Sequence, residues 1–155
     1  MKIVITGGTG QVGSVLTRAF RAKGYDVTII ARGEKSGAGI VRWDGKSLGD
    51  WANAIDGSDA VINLAGRSVN CRYTDANLNE MLNSRVDSTN VVGQAIGLAK
   101  KPPSVWLQMS TATIYAHRFD APNDESSGRI GGEETDVPRY WDFSIKIAKE
   151  WEKAQ

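Results

Sequence analysis

A glycine-rich loop near the start of the chain has the residue spacing with the most specific chemistry. Residues 6–13 read TGGTGQVG, and they fit G-x-x-G-x-x-G from Gly7 or G-x-G-x-x-G from Gly8. Glycine in such a loop permits positive φ and lets the backbone approach a phosphate with no Cβ in the way. A helix that begins there adds unpaired N–H groups and a partial positive charge. The predicted diphosphate-binding residues are Gly7, Thr9, Gly10, Gln11, Val12 and Gly13.

The residues on either side of this loop predict the strand and the helix that position it. A short β-branched run, Ile3–Ile5, comes directly before the loop and is typical of a buried strand. After the loop, apolar side chains recur at helical spacing, at Val12, Val15, Leu16, Ala19 and Phe20. The order of strand, glycine loop and helix makes the prediction of a nucleotide site much more specific than the glycines alone.

The rest of the chain alternates between strand-like and helix-like stretches. Further strands are predicted at Asp26–Ala31, Ile40–Trp43, Asp59–Leu64 and Ser104–Met109. Helices are predicted around residues 48–55, at Asp75–Lys100 with Thr74 as N-cap, and at Trp141–Lys153. The inward positions of the long helix are predicted to be Leu78, Met81, Leu82, Val86 and Ile96. Between His117 and Pro138 we expect a long polar surface loop.

This alternation predicts an α/β fold with an open, doubly wound parallel sheet and helices on both faces. A complete doubly wound domain of two halves has about six strands. We therefore expect residues 1–155 to lack the last strand or strands of the sheet.

The residue that follows the second predicted strand distinguishes between the two nicotinamide cofactors. An NAD site usually places an acidic residue there, about 20 residues past the glycine loop, to accept hydrogen bonds from the ribose 2′-hydroxyl. This chain has Arg32 instead, and an arginine can pair with a 2′-phosphate. Arg32, with help from Arg18, therefore favours NADP, with NAD as the second choice. The alternative is that Arg32 is a solvated loop residue.

Two further strand ends are expected to contact the cofactor. Asp44 follows the third predicted strand, where its carboxylate could accept a hydrogen bond from the adenine amino group. Equally, Asp44 could cap the turn that comes next. After the fourth strand, small residues would let the backbone pass close to the cofactor, so the predicted contacts there are Leu64, Ala65 and Gly66.

The composition argues against several other classes of protein. The chain has 155 residues, of which 19 are basic and 18 acidic, for a net charge of +1. This balance does not favour nucleic acid or an anionic membrane as a partner, and no apolar run approaches the roughly 20 residues of a membrane span. Cys71 is the one cysteine and no leader is expected before the first strand, so we expect a cytoplasmic protein. His117 is the one histidine, and we expect no metal.

Several segments together resemble the atypical epimerase branch of the extended short-chain dehydrogenase/reductases. The glycine loop is similar to the TGGTGxxG signature of that superfamily. Further similarities lie at residues 43–45 (WDG), 63–66 (NLAG), 84–89 (SRVDST), 110–115 (STATIY) and 148–152 (AKEWE). These segments occur in the same order as in the family and span nearly the whole chain. They resemble the NAD(P)-dependent epimerase/dehydratase family, in the branch often called nucleoside-diphosphate-sugar epimerases.

The resemblance implies that residues 1–155 are a Rossmann-type NAD(P)-binding domain, the N-terminal part of a longer protein with a C-terminal substrate domain. It implies that Thr111, with Ser110 beside it, hydrogen-bonds the substrate oxygen that is oxidised or reduced. The alternative is a hydroxyl that only satisfies backbone groups at a strand end. The resemblance also places Lys146 on the nicotinamide ribose, where it would lower the pKa of a catalytic tyrosine. The alternative is an ordinary solvated lysine.

The sequence departs from the family pattern at that tyrosine. In Tyr-x-x-x-Lys it would stand four residues before Lys146, where this chain has Asp142, and Tyr140 is six residues before the lysine. Tyr115 could supply a substitute hydroxyl, although a core or cleft-wall aromatic is the more frequent role. Arg85 stands where typical extended enzymes carry an asparagine that faces the active site. It could contact an anionic substrate, or it could pair with Asp87 or with a helix end.

The residues are compatible with three kinds of function. The first is an NADP-dependent oxidoreductase of the epimerase/dehydratase type, acting on a nucleotide-sugar or a similar small hydroxy or carbonyl substrate. The second is a dinucleotide-binding protein that senses or regulates without turnover and so needs no tyrosine. The third is an incomplete piece of a longer protein without a competent site. By analogy with such folds, Asp75–Lys100 and Trp141–Lys153 could pair two chains in a homodimer.

Overall fold

A computed structural model describes residues 1–33, 37, 39–135 and 137–155 of the chain, with the backbone alone at Arg139. These residues divide into two units. The first unit is Met1–Met109 together with Gln155, and the second unit is Ser110–Ala154. In this part of the chain, no helix is long and apolar enough to cross a membrane.

A parallel sheet of five strands forms the centre of the first unit. The strands are β1 (Lys2–Thr6), β2 (Asp26–Ala31), β3 (Ile40–Arg42), β4 (Ala60–Asn63) and β5 (Val105–Gln108). They lie in the order β3-β2-β1-β4-β5, and every neighbouring pair is parallel. The strand order reverses between β1 and β4, which is the arrangement of a Rossmann-type sheet. The predicted α/β fold class is confirmed.

The two faces of the sheet are covered by different helices. Ile3 and Ile5 of β1 belong to the apolar cluster on the side of α1 (Gln11–Ala22). Val4 lies between them in sequence and belongs to the cluster on the side of α2 (Asp75–Leu98). Because successive side chains of a strand point to opposite faces, this alternation buries β1 on both sides. The carboxyl ends of β1, β2 and β4 are thereby fixed next to one another.

The connection between β3 and β4 differs from the predicted α-helix. Its regular part is a 3₁₀ helix, Asp50–Ala54. Gly49 enters it in extended backbone with φ of −173°, and Gly57 leaves it with φ of +69°, so the chain turns before an α-helix can lengthen. Of the apolar residues of the predicted helix, Trp51 and Ile55 are buried, whereas Leu48 is exposed. The ring of Trp51 lies 5.0 Å from that of Trp43, centroid to centroid.

The long helix α2 begins where predicted and buries a different stripe from the predicted one. The Thr74 hydroxyl accepts a hydrogen bond of 3.3 Å from the Asn77 amide as its N-cap. The buried residues are Met81, Ser88, Thr89, Val91, Val92 and Ala95. Only Met81 belongs to the predicted set. Two polar members of the stripe, Ser88 and Thr89, break the apolar periodicity on which the prediction depended.

The second unit contains a short 3₁₀ helix, Ala112–Ile114, and the helix α3 (Arg139–Lys153). The segment predicted as a surface loop pairs with the start of the unit through an antiparallel bridge between Tyr115 and Ile130; residue 136 lies outside the described residues. The four-residue spacing of Phe143, Ile147 and Trp151 predicts that they share one face of α3. Ile147 and Trp151 are buried and Phe143 is half-buried, and Ile145 and Ala148 are buried as well.

Candidate dinucleotide-binding site

A groove of about 680 Å³ runs along the carboxyl ends of the strands in the first unit. Its floor comes from the residues that follow β1, β2, β3 and β4, and the N-terminal half of α2 forms one wall. The predicted site residues that line it are Gly7, Thr9, Gly10, Arg32, Asp44, Leu64, Ala65 and Gly66. Parallel strands collect their carboxyl ends at one edge, which is where ligands bind in open α/β sheets.

The glycines of the loop have different structural roles. Gly7 has φ of +70°, and a Cβ there would lie 2.8 Å from the carbonyl oxygen of Leu64. Gly13 packs on the loop itself, since a Cβ would lie 2.5 Å from the Gly8 Cα. Gly10 has ordinary extended backbone and lines the groove. Of the two registers open at sequence level, these contacts favour Gly7, Gly10 and Gly13, for the tight turn, the ligand approach and the helix packing.

The close packing of Gly13 also determines which face of α1 is buried. Gly13 and Thr17 are its buried residues. Val12 and Val15 were expected on the apolar face, yet they are 48% and 52% exposed. The helix is rotated because only a residue without a Cβ fits against Gly8.

The first turn of α1 begins directly after Gly10, which lines the groove. Its N-cap Gly10 has no side chain that could cap it, no side-chain cap is formed by the described residues, and the first turn has no acidic residue. Gln11, Val12 and Gly13 open this turn. By contrast, α2 has both a capping Thr74 and Asp75 in its first turn. Helix N-termini attract anions through unpaired N–H groups and the helix dipole, so α1 can hold a diphosphate.

Arg32 lies at the mouth of the groove directly after β2. It is exposed, and among the described residues no hydrogen bond or ion pair to its side chain is found. Its Cδ lies 3.6 Å from where a Cβ of Gly45 would stand, and Lys46 lines the same end. Arg18 lies on α1 and lines a separate hollow that shares Thr9 with the groove. The structure therefore leaves the Arg32 guanidinium available to an anion.

Asp44 caps the turn that follows β3. Its Oδ1 accepts hydrogen bonds from the amides of Lys46 at 2.9 Å and Ser47 at 2.8 Å. These amides hold the pKa of the carboxyl at about 2, below its ordinary 3.8. One of the two roles open at sequence level, the turn cap, is present. A contact with adenine stays a prediction.

A buried polar network holds the end of β4, and sequence reasoning missed it. Asn63 is fully buried. Its Oδ1 accepts from the Thr6 hydroxyl and from the Ala65 amide at 3.1 Å, and its Nδ2 donates to Gln108 Oε1 at 2.9 Å. The network joins β1, β4 and β5 beside the groove. Because buried polar groups are costly when unpaired, it fixes the direction in which the chain leaves β4.

The α2 wall of the groove was also missed. Asn79, Asn83 and Asp87 line it at four-residue spacing, which puts them on one side of a helix. That spacing is visible in the sequence. The sequence alone does not show which side of α2 faces the strand ends.

The residues predicted for catalysis lie in the second unit. Thr111 caps the short 3₁₀ helix: its Oγ1 accepts from the Thr113 amide at 3.3 Å and lies 3.1 Å from the Thr113 hydroxyl. The Ser110 hydroxyl donates to the Glu152 carboxylate, and Lys146 is exposed on α3. Their roles in catalysis stay predictions.

The aromatic residues of the second unit make structural contacts. The ring of Tyr115 fills the space beside Gly128, where a Cβ would lie 2.5 Å from Tyr115 Cε1. The His117 ring meets Phe119 and Trp141 edge-on, at centroid distances of 4.8 and 5.3 Å. In the described part of the chain, no three His, Cys, Asp or Glu side chains come together as a metal site.

Comparison with known proteins shows the class to which the chain belongs. Residues 3–134 match the model of the NAD dependent epimerase/dehydratase family, and the chain is a member of that family. This confirms the resemblance inferred from the sequence motifs.

Individual relatives agree with this assignment. The human epimerase family protein SDR39U1 is 31% identical over 99% of this chain and 48% of its own length. Its crystal structure with NADPH has a TM-score of 0.81 to this chain, over the same shares of the two chains. The epimerase family protein YfhF of Bacillus subtilis is 30% identical over 99% of this chain and 48% of its own length. The chain thus spans about half the length of these relatives.

A more distant structure agrees in fold alone. The UDP-N-acetylglucosamine 4-epimerase of Bacillus cereus has a TM-score of 0.72 at 21% identity, over 99% of this chain and 49% of its own. Its similarity supports the Rossmann-type arrangement of the strands and carries no information about substrate.

Proposed function

We propose that the chain binds NADP(H) in the groove and is the cofactor-binding part of an oxidoreductase of the epimerase/dehydratase type. The observation that carries the proposal is Arg32, an exposed cation at the end of β2 with no ion-pair partner among the described residues, where an NAD site usually has a carboxylate. The human relative SDR39U1 was crystallised with NADPH, which supports the same choice.

The residues of the groove fit this cofactor along its length. The uncapped first turn of α1 would hold the diphosphate, and Gly10 would let it approach the backbone. Arg32 would pair with the 2′-phosphate, with Lys46 at the same end. Asp44 would accept from adenine through its second oxygen, because the amides of Lys46 and Ser47 both donate to Oδ1. The nicotinamide half of the cofactor would lie against the backbone of Leu64, Ala65 and Gly66.

For the reaction, we propose a nucleotide-sugar or a similar small hydroxy or carbonyl compound as substrate. The bound nicotinamide would supply hydride chemistry. Thr111 would donate a hydrogen bond to the reacting substrate oxygen, with Ser110 beside it, and Lys146 would bind the nicotinamide ribose. The Thr111 hydroxyl keeps its own proton for such a bond when its oxygen accepts from the Thr113 amide.

A second candidate is a dinucleotide-binding protein without turnover. Asp142 stands in place of the tyrosine four residues before Lys146, and Tyr140 is 60% exposed. Neither residue takes the place of the tyrosine that usually serves as general acid or base. Hydride exchange between isotopically labelled NADPH and candidate nucleotide-sugars distinguishes the enzyme from the sensor. Transfer of the label to the sugar supports the enzyme, and tight NADPH binding with no transfer supports the sensor.

Calorimetry with NADPH and NADH tests the cofactor assignment. The unmodified chain should bind NADPH more tightly than NADH. Arg32→Asp should lower the NADPH affinity by about 10- to 100-fold, the value of a charge-assisted hydrogen bond, and should affect NADH little. Arg42→Asp is the matched control, because Arg42 is exposed near the end of β3 and is outside the groove lining. If the ratio of the NADPH and NADH affinities is unchanged in Arg32→Asp, Arg32 does not bind the 2′-phosphate.

A further inference from the structure

Two consecutive residues of α2 hold the backbone of one residue in the β4–α2 connection. The Arg67 amide donates to the Ser84 hydroxyl at 2.9 Å. The Arg67 carbonyl accepts from Nη1 of Arg85 at 3.1 Å, and the same Nη1 donates to the Met81 carbonyl at 2.9 Å. Both backbone polar groups of Arg67 are therefore tied to α2.

The side chain of Arg67 is held by the same helix. Its Nη1 pairs with the carboxylate of Glu80, and its Nη2 donates to Asn77 Oδ1 at 2.9 Å. The connection after β4 is thus fixed at Arg67, one residue beyond the groove-lining Gly66.

Arg85 also packs directly behind that glycine. A Cβ added at Gly66 would lie 3.3 Å from Cγ and Cζ of Arg85. Burial lowers the pKa of the Arg85 guanidinium, in agreement with its place between helix and loop. Gly66 and Ser84 line the groove, whereas Arg85 is not part of its described lining. Among the contacts described, Arg85 therefore acts on the groove through the loop backbone.

The position of β4 indicates which part of a bound dinucleotide this loop would meet. Dinucleotides lie across the crevice at the reversal of strand order, here between β1 and β4. Arg32 and Asp44 follow β2 and β3, on one side of β1, and mark the adenosine end. Leu64–Gly66 follow β4 on the other side, where the nicotinamide half would lie.

We propose that Arg85 is a positioning residue that, with Ser84, holds Leu64–Gly66 in place for the nicotinamide half of the cofactor. The inference rests on the proposed function. It differs from the roles considered for Arg85 from the sequence, which are contact with an anionic substrate and pairing with Asp87 or a helix end. In the structure one guanidinium nitrogen, Nη1, donates to the carbonyls of both Arg67 and Met81.

Calorimetry with two ligands tests this assignment. NADPH spans the whole groove, whereas adenosine 2′,5′-bisphosphate has only the adenosine half and its phosphates. Arg85→Met should weaken NADPH binding by about tenfold or more and leave the bisphosphate within about twofold, since the loss of a charge-assisted hydrogen bond is felt locally. Arg85→Lys, which keeps one donor, should recover part of the NADPH affinity. Arg72→Met, an exposed arginine in the same connection, should change neither.

Hydrogen exchange of the ligand-free chain supplies a readout that does not depend on cofactor binding. Amides of residues 65–67 should exchange at least about tenfold faster in Arg85→Met and in Ser84→Ala than in the unmodified chain. Unchanged exchange there, or an equal loss of both ligands in Arg85→Met, would overturn the inference. If the unmodified chain binds neither ligand, the proposed function fails, and the exchange data still decide whether Arg85 holds the loop.

Discussion

Replacing Gly10 and Gly13 separately by alanine should separate ligand binding from stability. At Gly13 the new Cβ would lie 2.5 Å from Gly8 Cα and 2.7 Å from Gly8 C and O. All three are backbone atoms, so α1 must move by about 1 Å to restore ordinary contact. Such overpacking costs about 1–3 kcal/mol, partly offset by alanine's better helix propensity of at most about 1 kcal/mol.

Because the new Cβ would meet rigid backbone, we expect the upper end of this range, and the net loss of about 2 kcal/mol corresponds to a fall in Tm of about 4–8 °C for a chain of this size. Gly10 should behave differently. Its φ of −75° and ψ of 179° suit any residue, and a Cβ would meet only the Gly7 carbonyl oxygen, at 3.3 Å. Gly10→Ala should therefore change Tm by no more than about 2 °C. Because Gly10 lines the groove, the methyl group should weaken NADPH binding by about tenfold or more.

The assay is a thermal melt by circular dichroism together with calorimetric titration of NADPH. Gly97→Ala is the matched control. Gly97 lies near the end of α2, and among the described residues outside the local helix backbone no atom lies within 4 Å of a Cβ built there. This variant should therefore keep the NADPH affinity and should keep Tm or raise it by about 2–4 °C, through helix propensity alone. If Gly10→Ala lowers Tm as much as Gly13→Ala, the assignment of separate roles is wrong. If Gly10→Ala binds NADPH as tightly as the unmodified chain, the ligand does not approach the loop at this glycine.

Three further outcomes are expected. Asn63→Leu leaves the Thr6 hydroxyl and the Ala65 amide without their acceptor and should cost about 3 kcal/mol in urea unfolding; a cost under about 1 kcal/mol would mean that the network is not needed. The pKa of Asp44 is lowered to about 2, so its contribution is complete above about pH 4 and is lost as the pH falls toward 2; melts over that range should show a weaker pH dependence in Asp44→Asn. Thr111→Val should keep NADPH affinity within about twofold and stop hydride transfer, with Thr111→Ser as the active control. A variant at Thr111 that loses cofactor affinity would contradict its role toward substrate.

Much of the first unit could be predicted because its strands are short apolar runs bounded by turn residues. β2 was predicted at Asp26–Ala31 and has those bounds. The glycine loop, the start of α1 and the capping of α2 by Thr74 follow from local rules that act within a few residues. The groove floor follows too, since parallel strands must bring their carboxyl ends together.

What could not be predicted depends on contacts between distant residues. The 3₁₀ helix at Asp50–Ala54 ends where Gly57 adopts positive φ, a turn that composition alone does not reveal. The burial of Ser88 on α2 depends on the distance between helix and sheet. For Arg85, the sequence could offer only alternatives, because the carbonyls it bonds belong to residue 67, far along the chain, and to residue 81.

The two halves of the groove are built from different kinds of groups, exposed charged side chains in one and hydrogen-bonded backbone in the other. At the proposed adenosine end, exposed charged side chains stand after β2 and β3, and Arg32 has no described partner to lose. At the other end, the groove is lined by backbone that buried and part-buried hydrogen bonds hold, through Asn63 and through Ser84 and Arg85. If Arg32 has its proposed role, an exchange at residue 32 should change cofactor preference with little effect on folding. A change behind Leu64–Gly66 must first replace hydrogen bonds whose loss costs stability, so we expect cofactor preference to tolerate substitution better than the course of the backbone after β4.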